Sequence, residues 1–125
     1  MNIMLVEDND LNAEIAETLL ENEGASVVRV CDGKEAVDLF CHKLPGTFDA
    51  ILMDLMMPRM NGYEAARAIR LSDRLDASSI PIIAMTANAF AEDVEATKEA
   101  GMNGHLSKPV DVELLKCTLA RYRDR

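Results

Sequence analysis

The sequence predicts one α/β domain, a parallel five-stranded sheet with helices on both faces. Two observations carry this. Along 125 residues, five short strand-like stretches alternate with five of helical character, the pattern of strand–helix–strand units joined by right-handed crossovers. The run Ala50 to Met53 is continuously apolar and bounded by turn signals, which suits a strand covered on both faces. A third observation gives the sheet a polar end. That run closes on Asp54, and Pro58, which has no N–H for a ladder, follows shortly after. Asp54 is therefore expected at the carboxyl end of a central strand, where open α/β sheets bind ligands. The plainer alternative for Asp54 is a turn or helix-cap residue.

In chain order, Asn2 to Val6 is a short apolar strand that ends on two adjacent acids, Glu7 and Asp8. Asn9 or Asp10 can cap the helix that follows. Leu11, Ile15 and Leu19 recur every four residues and are expected to form its buried stripe. Gly24 is the expected stop. Ser26 to Val30 reads as the second strand and Asp32-Gly33 as a turn. A second helix follows with Ala36, Val37 and Phe40 on one face, ended by Pro45-Gly46. The Asp54 strand is third. After Asn61-Gly62 a helix is expected from about Tyr63 to Arg74, with Ala66, Ile69 and Arg70 at helical spacing. Asp76 to Ser79 is a polar loop. Ile80 to Met85 is the fourth strand, with Pro81 near its start where it is tolerated, and Thr86 ends it. A fourth helix should begin near Asn88, run to about Ala100 and close at Gly101. Gly104 to Ser107 is a short fifth strand ended by Lys108-Pro109. Asp111 should cap a last helix with Val112, Leu115 and Leu119 inward.

The length suits one domain with one proper core, and residues 1–125 are expected to form it, with no repeat or linker. At 49% hydrophobic and 28% charged, the chain is globular rather than disordered. It has no apolar run of membrane-spanning length and no signal-peptide pattern. Cys31, Cys41 and Cys117 are odd in number and widely spaced, which suits reduced thiols in a cytoplasmic protein rather than a disulfide framework or a zinc site. The net charge of −9 and the 4% aromatic content argue against direct binding of nucleic acid or anionic lipid.

The polar groups at the strand ends form a set. Strand one offers Glu7 and Asp8, strand three Asp54, strand four Thr86 and strand five Lys108. Each alone has a plain explanation as a cap or a solvated charge, but together they share one end of one sheet. Clustered carboxylates repel unless a cation sits among them. Hard oxygen ligands without His or Cys select Mg²⁺ over zinc. One carboxylate could then act as nucleophile toward phosphorus, with Thr86 and Lys108 on the phosphoryl oxygens.

Four stretches carry a family resemblance. They are Ile3 to Asn9 with Asn12, Met53 to Pro58 with Met60 to Gly62, Pro81 to Asn88, and Ala100 to Pro109. Together they closely resemble the receiver domain of two-component response regulators. The wording Val-Glu-Asp-Asn, Thr-Ala-Asn-Ala and Gly-Met-Asn is most like receivers attached to hybrid sensor histidine kinases. The resemblance implies a (βα)5 flavodoxin-like fold with strand order 2-1-3-4-5. It implies that Asp54 accepts a phosphoryl group from a phosphohistidine on a histidine kinase or histidine phosphotransfer domain. It also implies Mg²⁺ (or Mn²⁺) bound by Asp8, Asp54 and the Met56 backbone carbonyl, with Glu7 holding a metal-bound water. Thr86, the backbone N–H of Ala87 and Lys108 would bind the phosphoryl oxygens, and the Lys108–Pro109 bond would be cis. The switch would act through Thr86 on the face of helix four, strand five and helix five. Met56 and Asn88 would flank the path of attacking water and tune dephosphorylation.

Two positions depart from the family pattern. His105 stands where a rotating Tyr or Phe is usual, so it is either the switch residue or a passive strand residue. Asn61 replaces a commoner Asp, an exchange expected to be neutral. The expected protein is a regulatory phosphoacceptor domain that catalyses only its own phosphorylation and dephosphorylation. It would be cytoplasmic, in a parent that could be anchored in the inner membrane, and a monomer or weak dimer. The rival readings are a stand-alone single-domain regulator, a phosphate-independent pseudo-receiver and a haloacid-dehalogenase-like phosphatase. The last would want a second acid where Met56 stands. A dinucleotide-binding domain fails for lack of a Gly-rich loop after strand one.

Overall fold

The computed structural model describes residues 2–43, 46–55, 60–73, 75–86, 94–107 and 112–123. The elements are β1 (Asn2–Val6), α1 (Asp10–Asn22), β2 (Ser26–Val30), α2 (Gly33–His42), β3 (Ala50–Asp54), α3 (Gly62–Arg70), β4 (Ile82–Thr86), α4 (Val94–Glu99), β5 (Gly104–Ser107) and α5 (Val112–Arg123). The strands form one sheet of order β2-β1-β3-β4-β5, parallel at every pairing. The fold class and strand order implied by the sequence are those observed.

Period-two alternation divides the core between the two faces of the sheet. Met4, Val6, Ile51, Met53, Ile82 and Ala84 face one way and pack with Ala36 and Phe40 of α2 and Ala65, Ala66 and Ile69 of α3. Ile3, Leu5, Leu52, Ile83, Met85 and Leu106 face the other way and pack with Ala13, Ala16 and Leu20 of α1 and Leu115 of α5. β3 and β4 are buried at all their positions, because helices cover both faces there.

The stripe expected on α1 is corrected. Ala13, Ala16 and Leu20 are the buried residues, whereas Leu11 is 65% exposed and Ile15 43%. At 3.6 residues per turn, Leu11 lies on nearly the opposite side of the helix from that trio. Small alanines let α1 approach the sheet closely and leave the larger side chains outside. Of the two candidate caps, Asn9 does the work, its side chain accepting from the Asn12 N–H at 2.9 Å. Asp32 likewise caps α2, accepting from the Glu35 N–H at 2.9 Å.

The helix expected to reach Arg74 is α3, which ends at Arg70. Ser72 stops it: its hydroxyl and its backbone N–H both donate to the Ile69 carbonyl, at 2.8 and 3.2 Å, the local competition by which serine opposes helix continuation. Arg70 itself turns inward. Its guanidinium donates to the carbonyls of Gly101 and Ala77 and to Asn103 Oδ1, each at 2.9 Å. Asn103 Oδ1 also accepts from the Ile82 N–H at 2.8 Å. One side chain thus ties the end of α3 to the start of β4 and the segment before β5. Burial lowers the pKa of this guanidinium from its ordinary value.

β4 begins at Ile82 rather than Ile80, since Pro81 cannot donate to the ladder. α4 is described from Val94, and its expected start near Asn88 lies outside the described residues. Pro45, Asp111 and the side chains of Val112 and Leu119 also lie outside them, while Leu115 is buried as expected. Among the described residues, no helix is long and apolar enough to cross a membrane.

Candidate functional site at the carboxyl end of the sheet

Sheet register brings the acids together. Val6 pairs with Met53, so Glu7 and Asp54 are the next residues on two adjacent strands. The ladder continues one step past β1, where the Glu7 N–H donates to the Val30 carbonyl at 3.1 Å. It also continues past β3, where the Leu55 N–H donates to the Met85 carbonyl at 3.2 Å. Glu7 is 1% exposed and Asp54 3%, whereas Asp8 is exposed. One carboxylate oxygen from each of these three residues lies within 4.8 Å of the others. Thr86 ends the neighbouring strand and is 3% exposed.

Two features hold Asp54 from behind. The Gly62 N–H donates to the Leu55 carbonyl at 3.2 Å. A Cβ on Gly62 would stand 2.5 Å from the Asp54 carbonyl oxygen. The start of α3 therefore lies directly against the backbone that carries Asp54, at a distance only glycine allows. A capping box fixes that start: the Asn61 side chain accepts from the Glu64 N–H at 2.9 Å, and the Asn61 N–H donates to Glu64 Oε1 at 3.2 Å. An asparagine here makes the cap that an aspartate would make.

β2 holds the other side of the site. Arg29 donates through Nε and Nη2 to the Glu7 carbonyl at 3.0 and 2.8 Å, and its Nη1 pairs with Asp10 Oδ1 at 2.8 Å. That hydrogen bond to Asp10 is the main reason the Arg29 pKa is raised. Sequence reasoning passed over both Gly62 and Arg29. Gly62 figured only as the residue before a helix and as the end of the Met60 to Gly62 stretch of the family resemblance, with no role of its own. The place of Arg29 as the one charged residue of β2 is the one signal it gives.

Of the residues singled out from the sequence, Glu7, Asp8, Asp54 and Thr86 gather at this end of the sheet. His105 is half-exposed on β5, paired in register with Ala84. Met56, Ala87, Asn88, Lys108 and the Lys108–Pro109 bond lie outside the described residues.

Chemically, the cluster suits a hard cation. Two buried carboxylates with oxygens no more than 4.8 Å apart repel by about 3 kcal/mol or more at an effective dielectric of 20. A divalent ion among them reverses the sign of that interaction. The donors are all oxygens, which fits Mg²⁺.

Residues 3–120 match the family described as the response regulator receiver domain. The chain belongs to that family. It is similar to a probable histidine kinase 2 of Oryza sativa subsp. indica, with 37% identity over 89% of the chain and 12% of the kinase. The receiver thus spans about one eighth of that relative. It is also similar to the polar-differentiation response regulator DivK of Brucella anthropi, with 36% identity over 97% of the chain and 94% of that protein. Among solved structures it resembles the receiver domain of the sensor histidine kinase PA1611 from Pseudomonas aeruginosa PAO1. There the TM-score is 0.86 at 40% identity, covering 99% of this chain and 98% of that one, and that structure holds a magnesium ion in its active-site cleft. It also resembles one chain of the co-crystal of the Saccharomyces cerevisiae histidine phosphotransfer signaling protein Ypd1 with the Ssk1 receiver domain, with a TM-score of 0.81 at 28% identity over 98% of this chain and 88% of that one. As a receiver domain, the chain is a phosphoacceptor module of two-component signalling. Modules of this kind occur within histidine kinases and as single-domain regulators.

Proposed function

We propose that Asp54 is the phosphoacceptor and that residues 1–125 act as one receiver domain. The observation that carries this is the cluster of Glu7, Asp8 and Asp54 oxygens within 4.8 Å, at the strand ends of a chain that matches the receiver family over residues 3–120. Mg²⁺, or Mn²⁺, would be held by Asp8, Asp54 and the Met56 carbonyl, with Glu7 on a bound water. When present, the ion offsets charge between the carboxylates and the phosphoryl oxygens.

The Asp54 carboxylate attacks phosphorus, the P–N bond of the phosphohistidine breaks, and the leaving imidazole keeps the electron pair and takes up a proton. Lys108, the Thr86 hydroxyl and the Ala87 N–H bind the phosphoryl oxygens, stabilising charge that spreads over them as the bond breaks. The phosphoryl group adds roughly two negative charges, and Thr86 moving toward it would bias the face built by α4, β5 and α5. His105 on β5 would follow into the space vacated. His105→Ala with phosphorylation-dependent partner binding unchanged would remove His105 from that switch. Met56 is apolar and cannot orient the attacking water, while Asn88 flanks the same path. The phosphoryl group should therefore be long-lived, and a lifetime of seconds, no longer than that of Met56→Asn, would contradict this.

The domain acts on no substrate beyond its own aspartate. Its donor is a histidine kinase or phosphotransfer domain, docking on the α1 face where Leu11 and Ile15 stand exposed. We infer a parent of the hybrid sensor histidine kinase type, with the receiver on the cytoplasmic side, since the relatives include a hybrid signal transduction histidine kinase and a sensor histidine kinase. The single-domain alternative draws on the likeness to DivK over nearly its whole length. The test is incubation with phosphoramidate and Mg²⁺ followed by intact mass. One added phosphoryl group is expected in the wild type and none in Asp54→Asn. An adduct in both would move the acceptor elsewhere.

A further inference from the structure

The two peptide groups of Glu7 are both held by β2. Its N–H donates to the Val30 carbonyl at 3.1 Å, an ordinary continuation of the parallel ladder. Its carbonyl oxygen stands past the end of β1 and accepts instead from two nitrogens of Arg29, at 3.0 and 2.8 Å. That carbonyl belongs to the peptide joining Glu7 to Asp8. The plane of this peptide sets the direction in which the Asp8 side chain leaves the chain. Glu7 and Asp8 supply two of the three clustered oxygens.

We propose that Arg29 is a positioning residue for the cation site, fixing the Glu7–Asp8 peptide so that both carboxylates meet Asp54. This rests on the reading of the acidic cluster as the Mg²⁺ site. A guanidinium suits the role because its planar fork presents parallel donors to one acceptor and so fixes direction as well as distance. Its pairing with Asp10 at 2.8 Å, whose side chain is 92% exposed, adds little itself.

Charge and geometry act in opposite directions here, which makes the proposal testable. A positive charge beside a cation site repels the ion. Removing it should tighten Mg²⁺ binding if charge were the only role of Arg29. Losing the fork should weaken binding if geometry is the role. Arg29→Lys keeps the charge and loses the fork. Losing a group that orients a metal ligand typically weakens metal affinity by about ten- to a hundredfold, and a lysine amine can keep one bond to the carbonyl. An increase in the Mg²⁺ dissociation constant of about three- to tenfold is therefore expected.

The experiment is calorimetric titration of the purified chain with Mg²⁺, alongside its thermal midpoint without Mg²⁺, for wild type, Arg29→Lys, Arg29→Met, Asp10→Asn and Asp8→Asn. Support would be weakened binding in both Arg29 variants, metal-free midpoints within a few degrees of wild type, and Asp10→Asn binding within twofold of wild type. A merely structural arginine would lower the midpoint and leave the affinity alone, and that result would overturn the proposal. Tighter binding in Arg29→Met would do the same, by showing charge to be the dominant effect. Asp10→Asn binding as weakly as Arg29→Lys would shift the effect to the ion pair and also overturn it. Asp8→Asn keeps the two failures apart. If Asp8→Asn abolishes binding while Arg29→Lys leaves it unchanged, only the role of Arg29 fails. If Asp8→Asn binds as wild type does, or wild type does not bind, the cation-site reading falls and the Arg29 proposal with it.

Discussion

Replacing Gly62 with alanine should damage stability and site together. The added Cβ would meet the Asp54 carbonyl oxygen at 2.5 Å, the Leu55 Cα at 3.0 Å and the Met53 Cγ at 3.1 Å. The first two are backbone atoms at the buried end of β3 and the residue after it, so no flexible side chain can swing aside. Either α3 retreats from the sheet or the Asp54–Leu55 peptide shifts by several tenths of an ångström. Overpacking of this kind costs about 1–3 kcal/mol, and the rigid partner puts Gly62 near the top of that range. Alanine returns at most about 1 kcal/mol through helix propensity. The net loss is about 2 kcal/mol. For a chain of this size, that lowers the thermal midpoint by roughly 6–10 °C. Because the displaced peptide carries Asp54, phosphorylation by phosphoramidate should slow as well. Gly24→Ala is the control. Gly24 has φ +88° but nothing within 4 Å of a Cβ, so its cost is backbone strain of about 1 kcal/mol with phosphorylation unchanged. A Gly62→Ala midpoint within 2 °C of wild type, with phosphorylation intact, would refute the reasoning.

Three further outcomes are expected. Arg70→Met removes the donors to Gly101, Ala77 and Asn103 and should cost about 2–3 kcal/mol in urea unfolding, with Mg²⁺ affinity unchanged because Arg70 is tied to the start of β4 rather than its end. Leu11→Ser with Ile15→Ser should slow phosphotransfer from a histidine phosphotransfer partner at least about tenfold, by loss of apolar contact area, while phosphorylation by phosphoramidate stays at the wild-type rate. Mg²⁺ at a hundred times its dissociation constant should stabilise the chain by about 2.7 kcal/mol. That stabilisation should vanish on chelation and be absent in Asp8→Asn.

Strand placement was legible because apolar runs ending on polar residues admit few arrangements. Four of the five strands have the bounds expected, and Glu7, Asp8 and Asp54 meet where the strand ends put them, with Thr86 at the end of the neighbouring strand. Helix faces were less legible. On α1 the large residues Leu11, Ile15 and Leu19 outweighed Ala13 and Ala16 in the reading. Alanine suits either face of a helix, so only the closeness of α1 to the sheet decides which residues it buries. The end of α3 was missed because Ser72 and Asp73 are tolerable in a helix by propensity, and the competing bonds of Ser72 to Ile69 are visible only in three dimensions. Arg29 and Gly62 act through backbone atoms of other elements, and no spacing in the sequence reports such contacts.

The geometry of the site is inherited from sheet register. Asp54 pairs with Met85, Thr86 with Ser107, and Val6 with Met53. A slip of one residue between β1 and β3 would move Asp54 along the strand by about 3.3 Å and turn it to the other face of the sheet. It would then leave Glu7 and Asp8. The same slip would exchange the two halves of the core, driving Met53 and Ile51 into the helices that now meet Leu52 and Ala50. The cost of misplacing the acids is thus the cost of repacking the whole core. A cluster of mutually repelling carboxylates can persist at the strand ends because apolar packing below, rather than any attraction among the acids, decides where they stand.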